Sequence, residues 1–131
     1  KDATGNLARV SAQRAACGAD FVQLSGKDDM TLGFMAMGGH GCISVTANVA
    51  PALCAAFQAA CKAGDYAAAL RLQDRIYPLH AALFSDASPG PTKYALARAG
   101  RMTEQLRLPM TPAGTASRAA VDAALAYAGI A

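Results

Sequence analysis

Few side chains in this sequence are placed to do chemistry. Lys1 offers a primary amine, a nucleophile when neutral and otherwise a solvated terminal charge. Asp28 and Asp29 form a carboxylate pair just after Ser25-Gly26-Lys27, at the carboxyl end of a β-type run. Function is one reading of that pair. The other, which the position favours, is that Asp28 caps the helix that follows. Gly26, at the same end, allows close backbone approach or a positive φ. His40 lies in Gly38-Gly39-His40-Gly41, before a strand rather than after it. Chemistry in parallel βα proteins gathers at the carboxyl ends of strands, so His40 reads as structural. His80, on a long helix, reads as a packing residue. The glycine-rich turn lacks the GxxxxGK[ST] pattern and ends a helix instead of opening one, so it is no phosphate loop. Cys17, Cys42, Cys54 and Cys61 include no CxxC pair and have apolar neighbours. They read as buried free thiols of a reducing compartment, not as zinc ligands or a disulfide framework.

The elements that must position these groups change character along the chain. Residues 6–17 place Leu7, Val10 and Arg14 at helical spacing, with Asn6 as N-cap and Gly18 as the stop. Phe21 to Ser25 is a short strand, and residues 30–37 form a helix closed by Gly38-Gly39. Residues 42–46 (CISVT) are β-branched and apolar, the texture of a buried parallel strand. This alternation predicts parallel βα units. After Asn48 the chain reads as purely helical. One helix runs from Pro51 to Ala63, with proline in its first turn. A longer one, capped by Asp65, runs from Tyr66 to about Phe84 on Leu70, Leu72, Ile76, Leu79 and Leu83. Short helices over 92–99 and 116–128 follow, separated by an extended stretch, residues 106–112, with prolines at 109 and 112.

Composition limits the function classes. The chain has 131 residues, 53% hydrophobic and 16% charged, with a net charge of +3. That excludes a disordered chain and offers no basic patch for nucleic acid. No apolar run reaches the roughly 18 residues of a membrane span. The 33 alanines suit closely packed helices. The polar start, without Met or an apolar stretch behind it, predicts a mature chain, a fragment or the downstream part of something longer. The strand count points the same way. Two strands with their helices cannot form a parallel sheet alone, because an open one usually has at least about five and a barrel about eight.

Four segments, taken in order, carry a resemblance. Residues 1–6 (KDATGN) resemble the K-E/D-A/S-T/S-G stretch around the Schiff-base lysine of the dihydrodipicolinate synthase and N-acetylneuraminate lyase family. Residues 24–29 (LSGKDD) are similar to its L-S-G-x-D turn, residues 38–49 (GGHGCISVTANV) to its GGxGxISVxaN strand, and residues 106–112 (LRLPMTP) to its vRlPmtP segment. Lys27 stands where an acidic or polar residue is commoner, and Ser88-Pro89-Gly90-Pro91 replaces N-P-x-P.

The resemblance implies the second half of a (βα)8 barrel, strands six to eight, followed by a three-helix domain. Residues 1–64 would belong to the barrel and 65–131 to the helical domain. It implies Lys1 as the catalytic nucleophile, the Ile43 carbonyl beside the pyruvate adduct, and Gly26 bordering the second-substrate pocket, with Asp28 a weaker candidate there. Shelter from water favours the neutral amine that such chemistry needs. The implied reaction, a lyase activity of lysine and diaminopimelate biosynthesis, condenses pyruvate with aspartate-4-semialdehyde to give 4-hydroxy-tetrahydrodipicolinate. It uses no cofactor and no metal beyond the covalent pyruvate Schiff base. The expected setting is a cytoplasmic homotetramer, a dimer of dimers, with no nucleic-acid or membrane partner. The proton-relay tyrosine and the substrate-binding arginine fall in the upstream half, so this chain by itself should be inactive. Val45 offers no hydroxyl where the sugar-acid lyases carry a serine, which favours the synthase. Asp28-Asp29 keeps a sugar-acid aldolase as the alternative. A non-catalytic helical interaction module is the alternative of a different class.

Overall fold

The computed structural model describes residues 1–130. Its first part is a set of three extended segments lying parallel in chain order. Asp2 donates its amide to Leu24 O (2.8 Å) and accepts from Gly26 N (2.7 Å), bridging in parallel to Ser25. Strand β1 (Leu24–Ser25) pairs in parallel with β2 (Gly41–Cys42), with Leu24 opposite Gly41 and Ser25 opposite Cys42. The bonds from His40 N to Gln23 O (2.9 Å) and Ile43 N to Ser25 O (2.8 Å) extend the ladder at both ends.

Both strands are shorter than their sequence patterns suggest. Phe21 and Val22 stay outside the ladder, 46% and 62% exposed. The 42–46 run leaves the sheet after Cys42: Val45 is helical (φ −74°, ψ −44°) and Thr46–Asn48 is a 3-10 turn. The reason is competition for amides. Ser44 Oγ accepts from Ala47 N (2.9 Å), and the Asp28 carboxylate accepts from Val45 N (3.0 Å) and Thr46 N (3.2 Å). Local side-chain acceptors of this kind draw the backbone out of a ladder.

The helices follow their local signals closely. Helix α1 spans Ala8–Cys17; Asn6 Oδ1 accepts from Ala8 N (3.1 Å), and Gly18 ends it at φ +93°. Helix α2 is Thr31–Ala36 and α3 is Pro51–Lys62, with Pro51 in the first turn, where its missing N–H loses nothing. Helix α4, Tyr66–Ala82, begins at Asp65, whose Oδ1 accepts from Ala68 N (2.9 Å). Its inward stripe is Ala69, Gln73, Ile76, Leu79, His80 and Ala82, continued by Leu83, while Leu70 is 50% exposed. The apolar face therefore runs partly through alanine and glutamine, and Leu70 lies off it. Helix α5 is Gly90–Arg98, starting two residues before the expected Thr92, and α6 is Thr115–Ala128. The stretch 106–112, expected to be extended, contains a turn closed by Met110 N to Arg107 O (3.0 Å), with Leu108 88% exposed at its tip.

Helix α4 serves two apolar clusters. Leu79, Ala82 and Leu83 pack with Val49, Ala50, Ala95, Val121 and Ala124; Ala69 and Ile76 pack with Met35, Phe57 and Cys61. The alanines let the helices approach closely. All four cysteines are free thiols, but Cys17 is exposed, contrary to its reading as buried; Cys61 alone is fully buried. Among the described residues, no helix is long and apolar enough to cross a membrane.

Candidate active site

The floor of the site is the carboxyl edge of the three parallel segments. Gly26 follows β1 and Ile43 follows β2, while Lys1 precedes Asp2, level with Leu24, and reaches this edge through its side chain. In this chain Lys1 is exposed, without the shelter from water expected of it, and its stem crosses Gly26. A Cβ built on Gly26 would stand 2.7 Å from Lys1 Cε and 2.8 Å from Ala3 Cβ, so the missing side chain is what lets the lysine lie there. Ile43 is 48% exposed at the same edge, its amide held by Ser25 O. The Lys1 stem thus meets Gly26, and Ile43 stands on the neighbouring segment.

Asp2 fixes the chain just after the lysine. Its Oδ1 accepts from Thr4 N (2.9 Å) and Thr4 Oγ1 (2.6 Å), and its Oδ2 from Arg9 Nε (2.7 Å) and Gln13 Nε2 (3.1 Å). The Thr4 hydroxyl, with Arg9 next, holds this carboxyl well below the usual carboxylate range. Its role was not read from the sequence, although the DxT spacing is a local signal for such a turn.

Asp28 departs from its sequence reading. It does not cap a helix: Lys27 precedes the 3-10 turn Asp28–Met30, and no side chain caps it. The residue is buried and its carboxylate turns toward the segment after β2. Oδ2 accepts from Val45 N, Thr46 N and Thr46 Oγ1 (3.3 Å), while Cys42 Sγ lies 3.6 Å from Oδ1. The turn from Gly26 is instead secured by Ser25 Oγ, which accepts from Lys27 N (3.1 Å), and by Thr31 Oγ1, which donates to Lys27 O (2.8 Å).

His80 is more than packing. It is buried on α4 with Nδ1 2.7 Å from Thr46 Oγ1, and burial pushes its pKa down. Its place on the inward stripe four residues after Ile76 was visible in the sequence; its partner, 34 positions away, was not. His40 is structural as expected, its Nδ1 accepting from Gln23 N (3.1 Å). Burial pushes the thiols of Cys42 and Cys54 up to about 11, so neither is a ready nucleophile. Among the described residues, no cluster of three or more His, Cys, Asp or Glu side chains could hold a metal ion.

A cavity of about 350 Å³ opens beside this edge, lined by Gly26, Asp28, Asp29, Tyr77, His80 and Phe84 among others. Its wall combines Gly26, which the Lys1 stem crosses, with Asp28, Asp29 and two aromatic rings, Tyr77 of α4 and Phe84 just after it. Such a concavity, mostly apolar with a few polar groups, suits a small polar ligand.

A lysine, a glycine without a side chain and an exposed backbone turn at the carboxyl edge of parallel segments define an α/β protein with a strand-end site. The chain belongs to the dihydrodipicolinate synthetase family, whose pattern matches residues 1–128. It is 72% identical over 132 residues to the 4-hydroxy-tetrahydrodipicolinate synthase of Rhizorhabdus wittichii, covering 100% of this chain and 45% of that protein. The Zymomonas mobilis synthase is 64% identical over 129 residues, covering 98% of this chain and 44% of the relative. The crystal structure of dihydrodipicolinate synthase from Aquifex aeolicus superposes with a TM-score of 0.94 at 31% identity, over 99% of this chain and 44% of its own. The chloride-inhibited Acinetobacter baumannii enzyme complexed with pyruvate gives 0.93 at 37% identity, over 100% and 45%. The chain therefore spans a little under half the length of the relatives it matches.

Proposed function

We propose that this chain is the carboxyl-terminal part of a 4-hydroxy-tetrahydrodipicolinate synthase, and that it supplies the Schiff-base lysine. One observation carries the reading: the Lys1 stem lies across Gly26 at the carboxyl edge of the parallel segments, where a substrate held by the amine would meet both Gly26 and the Ile43 turn. The identity to named synthases supports it.

The segments around Asp2, β1 and β2 are then strands six, seven and eight of a (βα)8 barrel, which their parallel order supports. Residues 1–64 complete the barrel and 65–131 form the helical appendix. The upstream half supplies the remaining strands, the proton-relay tyrosine and the substrate arginine, and the whole assembles as a cytoplasmic homotetramer.

In this reading the neutral Lys1 amine attacks the ketone carbon of pyruvate, and water leaves as the iminium forms. The iminium draws electrons from the adjacent C–H bond, so the methyl group loses a proton and an enamine results. The enamine carbon bonds to the aldehyde carbon of aspartate-4-semialdehyde, whose oxygen takes up a proton. Ring closure by the product's own amine then releases the lysine. No step needs a cofactor. The Ile43 carbonyl lies beside the adduct, and Gly26 borders the second substrate.

The test is reductive trapping in the full-length protein. Borohydride with pyruvate should leave a stable adduct on the Lys1 peptide, and Lys1→Arg should leave none. Turnover should appear with aspartate-4-semialdehyde and not as cleavage of a sugar acid. A full-length wild-type protein that traps no pyruvate at Lys1 would falsify the reading.

A further inference from the structure

We infer that Asp28 is a positioning residue, which holds the Ile43–Ser44 turn in register with Gly26 and Lys1 through the amides of Val45 and Thr46. The inference rests on the function proposed above and assigns Asp28 a different part in it from contact with the second substrate. Asp28 stands two residues after Gly26, on the segment whose Lys1 contact shapes the site. Its carboxylate reaches across 17 and 18 positions to accept from Val45 N (3.0 Å) and Thr46 N (3.2 Å), so one buried side chain ties the two strand-end turns together. Thr46 is fully buried and its amide makes this bond where no water reaches it. A lost acceptor would leave buried donors unpaired, and the turn would move to find others.

The Thr46 hydroxyl joins the same set of bonds. Thr46 Oγ1 lies 3.3 Å from Asp28 Oδ2 and 2.7 Å from His80 Nδ1, so helix α4 braces the turn from behind. Ile43 is the residue between the ladder bond to Ser25 O and this braced segment; its carbonyl has little freedom once both ends are held. The Asp28 oxygens are occupied by these donors and by the Cys42 thiol (3.6 Å), which turns the carboxylate toward the backbone although the residue borders the cavity.

Full-length wild type, Asp28→Asn, Asp28→Leu, Thr46→Val and Thr46→Ser separate the possibilities, each followed by the rate of borohydride trapping with pyruvate, kcat, and KM for aspartate-4-semialdehyde. Asn keeps an acceptor toward the two amides and should lose about fivefold or less in kcat, while Leu should slow trapping and kcat together on the order of 10- to 100-fold. KM for the aldehyde should stay within about twofold in both, because neither change removes a substrate contact. Thr46→Val, which deletes only the shared hydroxyl, should slow trapping by about tenfold, and Thr46→Ser should restore it. If Asp28→Leu does not fold, the threonine pair decides. A KM for the aldehyde that rises alike in Asp28→Asn and Asp28→Leu would overturn the inference, as would Asp28→Leu trapping at the wild-type rate or Thr46→Ser failing to rescue Thr46→Val. Wild type failing to trap pyruvate would instead sink the functional reading beneath it.

Discussion

The two ends of this chain are held together by different forces. Up to Asn48, ordered structure depends on polar bonds over two-residue strands: Gln23, Ser25, Asp28, Thr31 and Thr46 are all buried and all hydrogen-bonded, while the buried apolar side chains are few. From Val49 onward the order is reversed, and Ile76, Leu79, Leu83 and Val121, none of them accessible, pack through a field of alanines. Hydrogen bonds have direction and can aim a backbone turn; apolar contacts have none and serve to hold helices close. The site occupies the directional part, and the helical part braces it through His80.

That contrast can be broken at its apolar end with the largest effect. Leu79→Ala in the full-length protein should lower stability by about 2–5 kcal/mol, read from denaturant unfolding, with little change in the trapping rate of the protein that remains folded. Gly26→Ala attacks the other end. Lys1 can swing aside from the new methyl but Ala3 Cβ, 2.8 Å away, cannot, so stability should fall by about 1–3 kcal/mol. Pyruvate trapping should slow on the order of 10- to 100-fold, because the lysine is displaced. A Gly26→Ala protein that traps like wild type would show that the lysine does not work from that position.

The link between the two ends has its own pH signature. Burial lowers the folded-state pKa of His80 below its ordinary 6.5, so the unfolded chain binds this proton more readily. Its contribution to stability is therefore full above pH 6.5 and is lost as pH falls below it. Acidification from pH 7.5 to 5.5 should cost wild type more stability than His80→Gln, read from unfolding curves at the two pH values. The smallest effect belongs to Leu70, which looks like core by its type and is half exposed. Leu70→Ala should shift stability by no more than about 0.5 kcal/mol, and a loss above about 2 kcal/mol would mean that something outside this chain covers it.

Much of the secondary structure was legible locally. Gly18, Asp65 and the proline at 51 each mark a helix end through geometry that involves only near neighbours, and the structure places the ends within a residue or two of those marks. The site was legible in part. Lys1, Gly26 and Ile43 were named through motif resemblance, and the structure sets the Lys1 stem on Gly26 and Ile43 on the adjoining segment. Asp28 was misread because a carboxylate ahead of a helix looks like a cap, and nothing within a few residues announces that its partners lie on the far strand. The 42–46 run looked like one strand because β-branched residues suit a ladder, but Ser44 and Asp28 take the amides that a longer strand would need.

By itself the sequence determined where helices begin and stop, because these ends depend on bonds spanning four residues or fewer; Lys1 and Gly26 were singled out by motif resemblance. Only the tertiary structure decided how long the strands are, which way Asp28 turns and why His80 is buried. Apart from the Ser44 bond to Ala47, those outcomes are set by partners 14 to 34 positions away, and which distant acceptor wins a given amide depends on packing that no local window contains.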